Sequence, residues 1–237
     1  MKTENILFSI CARKNSKGLI NKNIKKFNKR PLIDWTIDKV LIAKKKHKFT
    51  ISTDSNEIIK IAKRRKIDIF FKRNIKLSNS KTPKIDVWRD LLKRSEKNYG
   101  QKFDYLIDFD CTNPLVKSID INKMIYREFA KIKNNCDLML MVTESNKNPY
   151  FNMLKMKNGF FDIVIKDRLH TRRQTAPKTY DHVAGVYIIK RNFLLKSKNI
   201  FDGKVKGYFV DNICSFDIDS YSNFEIAEAL HKKYKIK

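Results

Sequence analysis

Two groups of residues have the types and the spacing to do chemistry. The first is Arg13, Ser16, Lys17, Lys22 and Asn23, gathered with Gly18 in one short stretch. Cations, a hydroxyl and main-chain N–H groups in a single loop can cradle a polyphosphate. A solvated charged face has the same composition. The stretch is neither GxxxxGK[ST] nor GxGxxG, so it matches no common phosphate loop. The second group is Asp217 and Asp219. On an extended strand, alternate residues share a face, so the two carboxylates converge. Two hard oxygen ligands beside a triphosphate would describe a Mg²⁺ site. The competing reading is a pair of carboxylates at a helix start, since Ser220 and Ser222 follow.

The elements that must position these groups alternate between strand and helix. Ile6–Cys11 reads as a strand that ends in the polar loop. Pro31 opens a helix with Leu32, Ile33, Thr36, Ile37, Val40 and Leu41 at helical spacing. Strands are expected at 49–53, 67–71, 105–109 and 137–142, with helices at 56–66, 85–99 and 119–135. Strands separated by helices argue for a mostly parallel sheet covered on both faces, a three-layer α/β architecture. The pattern then breaks. Residues 150–166 read as a β-hairpin turning at Asn158-Gly159 with apolar residues on both arms. Such an insertion can be an oligomerisation arm, a lid or an edge hairpin. Residues 185–189 return to strand character. A last helix is expected over 222–234, where Ser222 and Glu225 have capping-box spacing. One domain, 1–237, with 145–180 as an insertion, is the expected organisation.

Composition narrows the classes further. The chain has 237 residues, 42% hydrophobic and 11% aromatic, which excludes a disordered polymer. No apolar run approaches the ~20 residues of a membrane span. The run Ile6–Ala12 is too short for a signal-peptide core, so a cytoplasmic location and no membrane partner are expected. Cys11, Cys111, Cys136 and Cys214 form no CxxC pair and read as free buried thiols. Net charge is +27. That suits a polyanion partner, or a composition rich in Lys, Ile and Asn with no such role. The basic residues are dispersed, and no RNP, KH or helix-turn-helix pattern accompanies them, which weighs against a nucleic-acid-binding protein.

The stretch from Cys11 to Asn23 resembles the signature of the cytidylyltransferases that activate sialic acids and related keto-sugar acids, P-A-R-x-x-S-K-x-x-x-x-K-N. Arg13, Ser16, Lys17, Lys22 and Asn23 match, and Cys11 replaces a small residue or proline. FNKRPLIDWTI, from Phe27, is similar to the family's next segment, with Asn28 for glycine. Ser52-Thr53-Asp54, Arg73 with Leu77, Thr82-Pro83-Lys84, YLIDFDCTNPL, Arg173-Gln174 with Ala176-Pro177, and Phe216-Asp217-Ile218-Asp219 resemble further family motifs in order.

The resemblance implies a Rossmann-like nucleotidyltransferase. It would pass the α-phosphate of CTP to the anomeric hydroxyl of a nine-carbon 2-keto-3-deoxy sugar acid and release pyrophosphate. It implies that Arg13 and Lys17 hold the triphosphate, Ser16 donates to it, and Lys22 stabilises charge at the α-phosphate. Asn23 would anchor the nucleotide or the loop, and Arg73 and Lys84 would lie over the cytidine. Asp110, Thr112, Arg173 and Tyr187 would face the sugar, Asp217 and Asp219 would bind Mg²⁺, and the protein would be a homodimer. Tyr180 reads as packing, and His170 and His182 as polar loop residues. Asp110 stands where the sialic-acid branch has glutamine, Val116 where an arginine is usual, Ser80 where aspartate is common, and Val183-Ala184 where Asn-Gly or Asn-Ala is found. These departures leave the sugar open. The same chemistry on 3-deoxy-manno-octulosonate or its 8-amino form is the alternative.

Overall fold

A computed structural model describes residues 4–15, 18–167, 169 and 172–236. Ser16, Lys17 and His170 therefore lie outside the described residues. The chain order is β1 (Ile6–Cys11), the short pair β2 (Lys26–Phe27) and β3 (Arg30–Pro31), α1 (Leu32–Ala43), β4 (Lys48–Ser52), α2 (Asn56–Arg64), α3 (Lys84–Tyr99) and β5 (Tyr105–Phe109). There follow α4 (Ser118–Lys123), α5 (Phe129–Ile132), β6 (Leu138–Glu144), β7 (Leu154–Lys157), β8 (Phe160–Ile163), β9 (Tyr180–Lys190), α6 (Arg191–Lys196), β10 (Val205–Phe209) and α7 (Tyr221–Lys233).

Six strands form the central sheet in the order β10-β6-β9-β5-β1-β4. β1 pairs parallel with β4 and β5, and β6 pairs parallel with β10. β9 runs antiparallel between β5 and β6. The sheet is thus mostly parallel, as expected, with one reversed strand at its centre.

Helices cover both faces because the strands are apolar on both. Phe8 and Ile10 of β1 pack with Ile33, Ile37 and Val40 of α1, Ile58 of α2 and Ile107 and Phe109 of β5. Leu7, from the opposite face of β1, packs with Trp88, Leu91 and Leu92 of α3 and Leu194 of α6. This two-sided burial is the signature of a parallel sheet between helical layers. A third cluster ties Phe224 and Ala227 of α7 to Phe27, Leu32 and Leu19.

Three expectations are corrected, and one strand is added. Residues 67–71 form no strand; Thr50 and Asp68 make one isolated bridge. The chain then peels from the sheet edge, and the Arg73 main-chain N–H bonds to the Thr53 carbonyl at 2.8 Å. The helix over 119–135 is interrupted by a π turn at Met124–Glu128. Met124 and Phe129, five residues apart, both reach the core, and the wider turn keeps both on one face. α7 is capped by Ser220, whose hydroxyl accepts from the Asn223 N–H at 3.2 Å, rather than by Ser222. Strand β10 has no apolar signature in the sequence, because VKGYF is a mostly exposed edge segment holding Lys and Gly.

The hairpin is present, with its two-residue turn at Asn158 (φ 52°) and Gly159 (φ 80°). Positive φ at both positions gives a turn that matches strand twist. The earlier β2–β3 turn works the same way, through Asn28 (φ 45°) and Lys29 (φ 70°). Asparagine tolerates this region, so the turn forms without a glycine.

Candidate functional site

Parallel strands place their carboxyl ends together, and ligands bind there in open α/β sheets. In this chain a cavity of about 400 Å³ lies at that edge. Its walls include Arg13, Lys22, Asn23, Arg73, Lys84, Asp110, Thr112 and Asp219.

Lys22 is the first residue of a short 3₁₀ turn and is only 6% exposed. Its ammonium donates to the Ile218 carbonyl and lies 3.3 Å from Asp219 Oδ1. Asn23 turns the other way, and its amide donates to the Arg13 carbonyl at 3.1 Å. Asn23 thus ties down the loop that carries Arg13 and also lines the cavity. Arg73 is buried, with Nε on Ser52 Oγ at 2.9 Å and a terminal nitrogen on the Ser52 carbonyl at 2.5 Å.

The loop and the carboxylate segment touch directly at Gly18. A Cβ at this position would sit 1.9 Å from the Asp219 carbonyl oxygen. Only glycine permits that approach. The Ile218 N–H bonds to the Thr112 carbonyl at 3.0 Å, which joins the same segment to the loop after β5.

Asp217 and Asp219 do not lie on a strand, which corrects the basis of their expected convergence. The alternation survives without one, because Ile218 is fully buried between them. Asp219 opens to the cavity and Asp217 is half-buried behind it. Burial pushes the Asp217 carboxyl above the ordinary range; the Thr112 hydroxyl opposes this, while Asp110 and Asp219 add to it. Asp217 Oδ1 is buried with no hydrogen-bond partner. An orphaned carboxylate oxygen beside a second, open carboxylate fits a divalent cation. No cluster of three or more His, Cys, Asp or Glu at metal spacing occurs among the described residues.

The expected sugar-facing residues divide. Asp110 and Thr112 line the cavity. Tyr187 is buried beneath it, with the Lys84 ammonium 4.3 Å from its ring centroid and Trp88 and His182 at its edges. Arg173 lies in a separate cleft with Glu144, Asn148, Phe151 and Pro177, and does not line the central cavity. Lys84 lines the central cavity, and its ammonium bonds to Asp110 Oδ2 at 2.5 Å and lies 3.6 Å from Asp108 Oδ2.

Three participants were missed in the sequence. Gly18 was seen only as loop composition, although it is the one glycine of that loop. Asn79 lines the cavity and folds its own loop by accepting from the Lys81 and Thr82 N–H groups. Asp108 is a charged residue inside the apolar strand YLIDF, and that mismatch was the available signal. The four cysteines are free; burial pushes the Cys111 thiol above its ordinary value, so it stays protonated.

A nucleotide-sized, cation-lined cavity at the carboxyl edge of a mostly parallel sheet defines a nucleotidyltransferase class of site. The chain belongs to the cytidylyltransferase family, whose pattern it matches over residues 8–235. It is 42% identical over 226 residues to the CMP-N,N'-diacetyllegionaminic acid synthase of Campylobacter jejuni, covering 95% of this chain and 94% of that one. It is 41% identical over 229 residues to the post-translational flagellin modification protein B of Campylobacter coli, covering 96% and 95%. The N-acylneuraminate cytidylyltransferase of Streptococcus agalactiae is 30% identical over 219 residues, 91% of this chain but 50% of that protein. Among solved structures, CMP:2-keto-3-deoxy-manno-octonic acid synthetase complexed with CTP superposes with a TM-score of 0.69 over 98% of this chain and 100% of that one. At 12% identity that likeness concerns the fold.

Proposed function

We propose that this chain joins CTP to a nine-carbon 2-keto-3-deoxy sugar acid of the sialic type, forming the CMP-sugar and releasing pyrophosphate. The observation that carries the reading is the contact between the signature loop and the carboxylate segment. Gly18 abuts Asp219, and Lys22 bonds to Ile218 and Asp219, at the wall of one cavity. Whole-length likeness to a legionaminic acid synthase supports a nine-carbon acid over an eight-carbon one.

Transfer of this kind needs positioning and charge neutralisation more than covalent help from the protein. Arg13, with Lys17 and Ser16 of the same loop, binds the triphosphate. Lys22 carries the largest share of stabilisation at the α-phosphate, because a buried cation interacts strongly with developing charge. Arg73, locked on Ser52, shapes the nucleotide side of the cavity. Asp217 and Asp219 would hold Mg²⁺, which would supply charge neutralisation at the phosphate oxygens. Asp110 and Thr112 accept from and donate to the sugar acid.

The arm supports a homodimer. Phe161 is 71% exposed and shares one face of the ribbon with Leu154, Met156 and Ile163, while Phe160, 79% exposed, lies on the other face beside Lys157. Such an apolar surface on a two-stranded ribbon suits burial against a second copy. Arg173, in the cleft at the base of the arm, then meets the sugar carboxylate only if that assembly brings it to a cavity. No helix among the described residues is long and apolar enough to cross a membrane.

Pyrophosphate release with Mg²⁺ and CTP tests the reading. The panel is legionaminate, N-acetylneuraminate, pseudaminate and 3-deoxy-manno-octulosonate, with ATP, GTP and UTP as controls. Turnover is expected with CTP and a nine-carbon acid. Turnover only with the octulosonate would move the substrate to the alternative, and no turnover together with no CTP binding would sink the assignment.

A further inference from the structure

Asp108 has no place in the chemistry above, and its burial is costly. It is 0% exposed, on the central strand β5. Its Oδ1 accepts from Ser9 Oγ of the neighbouring strand at 2.6 Å, and the register sets these two residues side by side. Its Oδ2 has no hydrogen-bond partner. Burial pushes the Asp108 carboxyl above the ordinary range; Lys84 Nζ, 3.6 Å from that oxygen, opposes this most, followed by the Ser9 hydroxyl and, from outside hydrogen-bond geometry, the Trp88 indole N–H. A buried carboxylate stabilises a fold poorly compared with a well-packed apolar residue, so its presence calls for another account.

Lys84 supplies the link. It is the first residue of α3, and its ammonium bridges Asp108 below to Asp110 at the cavity wall. The Tyr187 and Trp88 rings flank it at 4.3 and 5.2 Å. Burial alone would lower the Lys84 ammonium, but Asp110, Tyr187 and Asp108 outweigh it and hold it well above the lysine range. Burial likewise opposes ionisation of Asp110, yet Lys84 holds that carboxyl below the usual value. Thr112 completes the cradle, with its N–H and hydroxyl 3.4 and 3.2 Å from Asp110 Oδ1. One side chain thus meets the cavity as a fixed anion, while the group that aims its partner stays hidden.

We propose that Asp108 is a positioning residue that acts through Lys84 to orient Asp110, and that Asp110 so held selects sugar acids presenting an N–H or O–H donor to it. This rests on the sugar-acid reading above. A fixed acceptor that cannot donate rejects a substrate group that is itself only an acceptor, because neither would be satisfied. A glutamine in the same place, able to donate and accept, imposes no such choice.

The test uses the full-length protein with the acid the wild type prefers. Asp108→Asn keeps volume and the Ser9 contact but removes the charge that steadies Lys84. The expected result is a KM for the sugar acid raised by about 10-fold or more, with the KM for CTP within about 2-fold. Lys84→Met should give the same split, and the double variant should be no worse than either single one, as expected for residues acting as a unit. Asp110→Gln should narrow the preference between acids that differ in donors. A merely structural Asp108 would lower the melting temperature while leaving the two KM values in their wild-type ratio, and that result overturns the proposal. So does simple additivity of the two single variants. If wild-type protein turns over no acid on the panel, the underlying reading fails first, and the proposal falls with it. Should Asp108→Asn not fold, Lys84→Met and Lys84→Arg carry the same comparison, with recovery of the sugar KM expected for arginine.

Discussion

Phe8 and Phe160 are the same residue type in opposite situations. Phe8 sits inside β1, fully buried between helices and sheet. Phe160 sits on β8, mostly exposed, on a ribbon whose partner strand is equally bare. The central sheet is closed within one chain, because helices cover both faces of its strands. The arm cannot close on itself, since two strands have no third layer to bury a face against. The same apolar pattern therefore means core in one region and unfinished surface in the other. What separates them is whether amphipathic helices flank the strands in sequence.

This contrast can be attacked at its strongest point first. Asp219→Asn should reduce Mg²⁺-dependent pyrophosphate release to below about 1% of wild type, with mass in solution unchanged. Near-normal turnover would move the metal elsewhere. Lys22→Ala should cost about 10²–10³ in kcat and much less in CTP affinity, because its charge matters most in the transition state. Single-turnover rates alongside nucleotide titration separate the two.

His231 probes the stability of the region outside the arm. It is buried against Phe27 and Trp35, and its Nδ1 faces the Asn28 amide. Burial first, then Lys39, pushes its pKa down to about 4 from 6.5. Between those values the unfolded chain binds a proton that the folded chain refuses, so stability falls as pH drops through this window. The loss should reach a few kcal/mol by pH 4. Urea midpoints at pH 7 and 4.5 should differ, and His231→Gln should shrink the difference; an equal difference would assign it to other groups. The smallest change concerns the arm. Phe160→Glu with Phe161→Glu should halve the mass seen by light scattering and shift the melting temperature by only a few degrees. A variant that keeps the wild-type mass would remove the arm from the assembly.

Most of the central sheet could be read from the chain alone. Ile6–Cys11 and Tyr105–Phe109 begin and end where the apolar runs do, because buried parallel strands show no alternation to misread. The hairpin turn was legible from Asn158-Gly159 alone. Residues 67–71 misled, because an apolar run records burial and not pairing; Phe70 and Phe71 bury against each other and near Tyr99 instead. β10 was invisible for the opposite reason, being paired without being buried. At the site, residue types single out Arg13, Lys22 and Asp219, which share the cavity wall, but not their contacts. Nothing in the sequence says that Lys84 spends its charge on Asp110, because that depends on α3 starting beside the end of β5.

β9 returns antiparallel beside β6, so the arm lies between two strands that are already neighbours. Residues 145–179 are therefore, in chain terms, an excursion from a hairpin whose ends are held together by the sheet. Closing such an excursion costs only about 0.6 kcal/mol for each doubling of its length. The arm can therefore be lengthened or trimmed while the sheet keeps its register, and a reporter inserted at the Asn158-Gly159 tip would leave the strands that carry the central cavity in place.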